Sequence, residues 1–242
     1  MGKEPPTRWA QTSQLVLDWL FPPRCAGCGV LGTVWCASCQ STVIRIGNPQ
    51  CEQCGLPLGV ASGCPACASH PYGFDASRAW GVYAGGLRRA ILSLKYRSNA
   101  DLGGVFAPAL LHVFQQQGWK VDMLIPIPLG PQRLRQRGYN QIDLLARPFG
   151  EIAGLPLAKR VLIRQHDTLP QFELSAAERW HNLHGCFVAD PAHLAGQSVL
   201  LVDDIMTTGA TLDSAALSLR KAGAKRVYAL TLARTLAETS DL

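Results

Sequence analysis

The stretch that most constrains this chain is residues 199–211. Val199, Leu200, Leu201 and Val202 run unbroken into two adjacent carboxylates, Asp203 and Asp204, and then into a turn holding Thr207, Thr208, Gly209, Ala210 and Thr211. Four apolar residues in a row predict a strand buried on both faces, the condition of a parallel sheet. The acids mark its C-terminal edge, where open α/β sheets bind ligands, and a helical pattern follows over about 212–221. Backbone N–H groups around Gly209, three threonine hydroxyls and a helix N-terminus together suit a phosphate. Two carboxylates do not suit phosphate; they suit the vicinal hydroxyls of a ribose, with a Mg²⁺ nearby. The stretch therefore predicts a sugar 5-phosphate site, with Asp203 and Asp204 as the candidate catalytic pair. The plainer alternative is a buried strand, two solvated acids and a threonine-capped helix.

Eight of the nine cysteines form C-x-x-C pairs, Cys25/Cys28, Cys36/Cys39, Cys51/Cys54 and Cys64/Cys67, separated by seven, eleven and nine residues. The turn in C-x-x-C brings two thiolates onto one tetrahedral ion, and two pairs close a structural Zn²⁺ site with no position left for water. Two ribbon-like sites are expected, Cys25, Cys28, Cys36 and Cys39 in one and Cys51, Cys54, Cys64 and Cys67 in the other. An interleaved pairing satisfies the same spacing. A redox role for C-x-x-C normally needs a βαβ context, which these pairs lack. Cys186, next to Phe187 and Val188, reads as a small buried hydrophobe.

Three regions follow: a tail and short helix over 1–22, ended by Pro22 and Pro23; a cysteine-rich module over 23–70; and a larger domain over 71–242. In the last, strand patterns at 79–83, 121–128, 161–163, 187–188 and 226–232 alternate with helical ones at 87–94, 101–117 and 212–221. Such alternation predicts an α/β fold, a mainly parallel sheet with helices on both faces. Two cationic clusters stand between elements. Lys95, Tyr96 and Arg97 close the first helix, and Arg133, Arg135 and Arg137 lie in a stretch, 129–141, that reads as a mobile loop anchored at Gly138. Guanidinium groups suit phosphate through paired hydrogen bonds.

Over all thirteen residues, the 199–211 stretch resembles the phosphoribosyl pyrophosphate (PRPP) motif of type I phosphoribosyltransferases. Further identifying residues are Pro126-Ile127-Pro128-Leu129 and Arg135-Gln136-Arg137-Gly138-Tyr139-Asn140-Gln141. With these and the cysteine pairs, the chain is similar from about Leu15 to Thr235 to the ComF family of competence-associated proteins, which join a zinc ribbon to a phosphoribosyltransferase domain. The resemblance implies Mg-PRPP or a related phosphosugar as ligand. Its phosphate would lie on Thr207, Thr208, Gly209, Ala210 and Thr211, its ribose on Asp203 and Asp204, and its pyrophosphate against Lys95, Tyr96 and Arg97 and the loop arginines Arg133, Arg135 and Arg137. Zinc, two ions, and magnesium are the implied metals.

In such transferases C1 of the ribose becomes oxocarbenium-like as pyrophosphate leaves, so charge neutralisation and exclusion of water matter more than a protein nucleophile. No acceptor pocket is legible; only the zinc module or the polar segment with Arg164, Gln171, Arg179 and Asn182, each singly a surface polar residue, stands where one could form. The family resemblance implies a role in DNA uptake, with single-stranded DNA and competence-machinery proteins as partners. The alternative is a non-enzymatic single-stranded DNA-binding or adaptor module on the same fold.

At 242 residues, 48% hydrophobic and 17% charged, the chain has enough apolar residues for a sizeable core plus a small module. A net charge of +6 mildly favours anionic partners. No run reaches transmembrane length and residues 1–8 lack a signal-peptide layout, so a cytoplasmic protein without membrane insertion is expected.

Overall fold

The computed structural model describes residues 22–59, 63–95, 101–166 and 185–236. The expected helix over 9–21, and Tyr96, Arg97, Gln171, Arg179 and Asn182, lie outside the described residues. The larger domain is built on strands β1 (Ala76–Val82), β2 (Met123–Pro126), β5 (Ser198–Met206) and β6 (Arg226–Arg234). They form one parallel sheet in the order β1-β6-β5-β2. Between β2 and β5 the chain also forms β3 (Leu162–Arg164) and β4 (Phe187–Ala189).

Side chains of the central strands alternate between two cores, as the two-residue period of a strand requires. Leu200, Val202, Leu230 and Leu232 face one core, with helices α3 (Gly85–Ser93), α4 (Leu102–Gln115) and α6 (Gln141–Ala153). Val199, Leu201, Val227 and Ala229 face the other, with α7 (Ala210–Lys221) and the β3–β4 pair. Helices α4 and α6 approach closely. A Cβ on the buried Gly103 of α4 would overlap the backbone carbonyl of Leu144 in α6.

Three expectations are corrected. β3 and β4 do not join the parallel sheet; they pair antiparallel with each other, Ile163 opposite Val188, as a separate ribbon. β5 does not stop at the carboxylates but continues to Met206, because Asp203, Ile205 and Met206 stay in register with Thr231, Ala233 and Arg234 of β6. The 129–141 stretch is not a loop throughout, since Pro131–Arg137 forms a short helix, α5. Pro131 at its start has a preset φ and no N–H to leave unpaired, and Gly138 ends it in the left-handed conformation at φ 73°.

The cysteine module contains two short helices, α1 (Ala37–Ser41) and α2 (Pro65–Ser69), and clasps the β1 edge. Arg45 bridges antiparallel to Gly81, and Val82 and Ser77 donate backbone N–H groups to Ile44 and Gln53. The two four-cysteine groups consequently enter opposite cores: Cys25 and Cys39 pack with Leu87 and Phe106, Cys51 and Cys54 with Ile125 and Leu201. At the other edge, Leu124 of β2 bridges to Leu157. Among the described residues no helix is long and apolar enough to cross a membrane.

Candidate functional site

The C-terminal ends of β2 and β5, the start of α7 and one face of α5 enclose a cavity of about 180 Å³. Lys95, Arg133, Arg137, Gln141, Arg164, Asp203, Asp204, Thr207, Gly209, Ala210 and Thr211 line it. Residues far apart in the chain thus meet where the parallel strands end, two acids facing several cations. Arg133 and Arg137 are one helical turn apart and share a face. Arg135, between them, is exposed and lies outside the lining. Thr208 also lies outside it: its hydroxyl accepts from the Ala210 N–H at 3.3 Å and its carbonyl from the Tyr72 hydroxyl at 3.0 Å.

Gly209 caps α7 at φ 85°, a left-handed conformation that glycine adopts without penalty, and it has no side chain of its own to cover the helix end. The first N–H groups of a helix have no partner within it, so this end presents donors and a positive dipole. The acidic residue of that first turn, Asp213, is turned away from the cavity: it accepts the Gly73 N–H at 2.6 Å and lies 3.4 Å from His70 Nε2.

Asp203 and Asp204 are each only 9% exposed. Burial, followed by repulsion from Asp204, raises the Asp203 pKa well above the carboxylate range, and the charge of Arg164 offsets this only in part. Asp203 Oδ1 accepts the Asp204 N–H at 2.8 Å, and Asp204 Oδ2 receives Gln141 Nε2 at 3.4 Å. Arg137 in turn donates to Gln141 Oε1 at 2.8 Å, so α5 is linked to the acids through one amide. Asn140 sets this geometry, capping α6 at Ile142 N and donating to Ile127 O at the exit of β2.

Because the folded protein holds the Asp203 proton more tightly than the unfolded chain, Asp203 favours folding most at low pH. That contribution is lost as pH rises through the raised pKa. Asp203→Asn, which removes the repulsion, is therefore expected to stabilise the fold at pH 8 by about 1 kcal/mol, the size of a typical stabilising substitution. The gain should shrink as pH is lowered to 5, because lower pH favours the protonated, uncharged carboxyl. Thermal melts at the two pH values check this, and a variant less stable than native at pH 8 would contradict it.

Of the described residues expected to form the site, the cavity gathers Lys95, Arg133, Arg137, Asp203, Asp204, Thr207, Gly209, Ala210 and Thr211 but not Arg135 or Thr208. Gln141 has no role legible in the sequence, and Arg164 reads there as a surface polar residue. Yet both are buried, and Arg164 lies over the Phe187 ring at 5.5 Å. The signal that could have found Gln141 is its place at the end of the Arg135–Gln141 run, at the first position of a helix.

Cysteine pairing is sequential. All four Sγ atoms of each set lie within 4.8 Å of one another, with separations of 3.7 Å for Cys28–Cys36, 3.6 Å for Cys51–Cys67 and 3.5 Å for Cys54–Cys64. A tetrahedral zinc with bonds of about 2.3 Å needs its sulfurs about 3.8 Å apart, so both sets fit the ion. Backbone N–H groups prepare the thiolates: Cys36 N points at Cys25 Sγ and Cys39 N at Cys36 Sγ, each at 3.4 Å. Against the opposing effect of burial, such donors hold Cys25 down to about 6 and Cys51 down to about 7. Burial and neighbouring thiols push Cys39 and Cys67 up, so a cation is needed for all four sulfurs to ionise together.

The model of the double zinc ribbon domain matches residues 16–68, and that of the phosphoribosyl transferase domain matches residues 151–241. The DNA utilization protein YhgH of Escherichia coli K12 is 30% identical over 207 residues, covering 83% of this chain and 90% of that protein. Competence protein F of Haemophilus influenzae is 30% identical over 208 residues, covering 82% and 90%. This chain belongs to the ComF family. A third ComF relative, competence protein ComFC of Bacillus subtilis, is 30% identical over 209 residues, covering 83% of this chain and 84% of its own length. Among solved structures, the glutamine PRPP amidotransferase of B. subtilis in complex with ADP and GMP is 20% identical, with a TM-score of 0.40 over 58% of this chain and 30% of that one. TT1426 of Thermus thermophilus is 14% identical, with a TM-score of 0.34 over 57% of this chain and 86% of that one. The two four-cysteine zinc-ribbon sites and the parallel sheet of phosphoribosyltransferase type are thus features of a ComF protein.

Proposed function

We propose that this ComF protein binds Mg-PRPP, or a related phosphosugar, at the ends of β2 and β5 and acts in the handling of DNA during uptake. The observation that carries the reading is one cavity lined by a buried acid pair, a left-handed glycine at a helix N-terminus and the cations Lys95, Arg133, Arg137 and Arg164. Asp203 and Asp204 offer carboxylate oxygens that accept hydrogen bonds from the ribose hydroxyls, and the raised pKa of Asp203 reflects a need for positive charge or hydrogen-bond donors beside it. Thr207, Gly209, Ala210 and Thr211 surround the 5-phosphate. Lys95, Arg133 and Arg137 neutralise the pyrophosphate. Magnesium, when bound with the ligand, adds charge to offset the diphosphate, and two buried carboxylates are the hard donors such an ion takes.

If phosphoribosyl transfer occurs, these residues stabilise the departing diphosphate and exclude water; no nucleophile is required of the protein. The similarity to competence protein F and competence protein ComFC supports the role in DNA uptake. Calorimetric titration of PRPP with and without Mg²⁺ tests the site. Binding to the native protein should require Mg²⁺ and weaken by about a hundredfold or more in Asp203→Asn/Asp204→Asn, as removal of charged hydrogen-bond partners does. A folded native protein that binds no PRPP would move the reading to a DNA-binding or adaptor module.

A further inference from the structure

The segment leaving the second four-cysteine site runs directly onto the 207–211 turn. Tyr72 is half-buried, with its ring stacked on Phe74 at 4.6 Å between centroids and its hydroxyl donating to the Thr208 carbonyl at 3.0 Å. The neighbouring Gly73 N–H is bonded to Asp213 in the first turn of α7. Both sides of the turn are thereby fastened to one short stretch of chain. The ring itself backs the turn without a gap: a Cβ on Gly209 would come within 2.8 Å of Tyr72 Cε1.

The peptide joining Thr208 to Gly209 is planar and trans, so its carbonyl and its N–H point in opposite directions. A hydroxyl that fixes the Thr208 carbonyl on the module side therefore aims the Gly209 N–H the other way, and Gly209 itself lines the cavity. Glycine tolerates either orientation of the adjoining peptide, so its own residue type does not fix that direction.

We propose that Tyr72 is a positioning residue: through the Thr208 carbonyl it holds the Gly209 N–H toward the 5-phosphate, coupling the second zinc ribbon to the phosphate end of the site. This rests on the phosphosugar reading above. The variant Tyr72→Phe keeps the ring and removes the hydroxyl. Two Mg²⁺-containing titrations separate the ends of the site, one with ribose 5-phosphate and one with inorganic pyrophosphate. The expected result is a rise of about tenfold in the dissociation constant for ribose 5-phosphate, the effect of one hydrogen bond. That for pyrophosphate, held by Lys95, Arg133 and Arg137, should stay within about twofold, and zinc content should not change.

Unchanged binding of both ligands, or equal weakening of both, would overturn the proposal, the second because a general loss of structure explains it. Hydrogen exchange supplies a reading that needs no ligand. The Gly209 amide should exchange several-fold faster in Tyr72→Phe, and identical exchange would also overturn the assignment. If the native protein binds neither ligand, the phosphosugar reading itself fails.

Discussion

Stripping zinc from the folded protein is expected to abolish its cooperative unfolding transition throughout, not only within the cysteine-rich module. The reason is where the thiolates sit. Cys25 and Cys39 belong to the core that contains Leu87, Phe106 and Leu200, and Cys51 and Cys54 to the opposite core with Ile125, Leu201 and Ala229. A structural zinc contributes about 10–16 kcal/mol of apparent free energy in small zinc modules, against a net stability of about 5–15 kcal/mol for a whole domain. Losing either ion therefore removes a large part of the margin. It also leaves several thiols crowded together under one side of the sheet. Near-ultraviolet circular dichroism from the tryptophans, followed during chelation, reads the result. Trp35 and Trp80 both pack on Phe106, at centroid distances of 5.3 and 5.9 Å, so their signal should collapse with the metal. A melt unchanged after complete zinc removal would show that the ribbons are ornaments on an independent domain. Cys54→Ser, at a fully buried ligand, should reproduce the loss with one zinc per chain retained.

Replacing Gly103 by alanine is expected to destabilise the protein by about 3 kcal/mol, a large overpacking cost for one methyl group. The new Cβ meets the carbonyl of Leu144, which is backbone, so no rotamer change relieves the overlap and α4 and α6 must separate. Those helices carry Phe106, Leu110, Ile142, Leu145 and Phe149, each at most 1% exposed. Separation would also displace the first turn of α6 and draw Gln141 from Asp204. For a chain of this length, 3 kcal/mol corresponds to a fall in melting temperature of about 6–12 °C. Gly104→Ala is the control. Nothing lies within 4 Å of a Cβ there, and exchanging a helical glycine for alanine stabilises by about 0.5–1 kcal/mol. Equal melting temperatures for the two variants would show that the helices do not pack this closely.

Much of this architecture was legible in the sequence, for definite reasons. The apolar run from Val199 to Val202 announces a strand covered on both faces, and the thirteen-residue stretch it begins contains the strand end, the turn and the helix start of the candidate site. Cysteine spacing pointed to the two sequential sets, each closing within a short span, but allowed an interleaved pairing that only the folded chain excludes. What escaped was set by contacts across the chain. Whether Arg135 or Arg137 faces the cavity depends on the 131–137 segment being helical, which a glycine and a proline at its start only suggest. The pairing of β3 with β4 depends on the path of the chain between them. Gln141 and Arg164 look like surface residues until the fold buries them beside Asp204 and Phe187. Tyr72 gives no local sign of this role, since its hydroxyl's partner, Thr208, lies 136 residues further along the chain.

The clasp of the cysteine module on β1 has a consequence for how copies of this protein meet. Parallel sheets left open at an edge invite another chain to add a strand, the first step of fibre growth and of many accidental dimers. Here the 44–53 segment supplies hydrogen bonds to Ser77 and Val82 along one edge. The opposite edge is a four-residue strand that ends in Pro126, with Leu124 already bonded to Pro156 and Ala158. Strand addition to the parallel sheet is thus obstructed at both margins among the described residues, which disfavours edge-to-edge association of its copies.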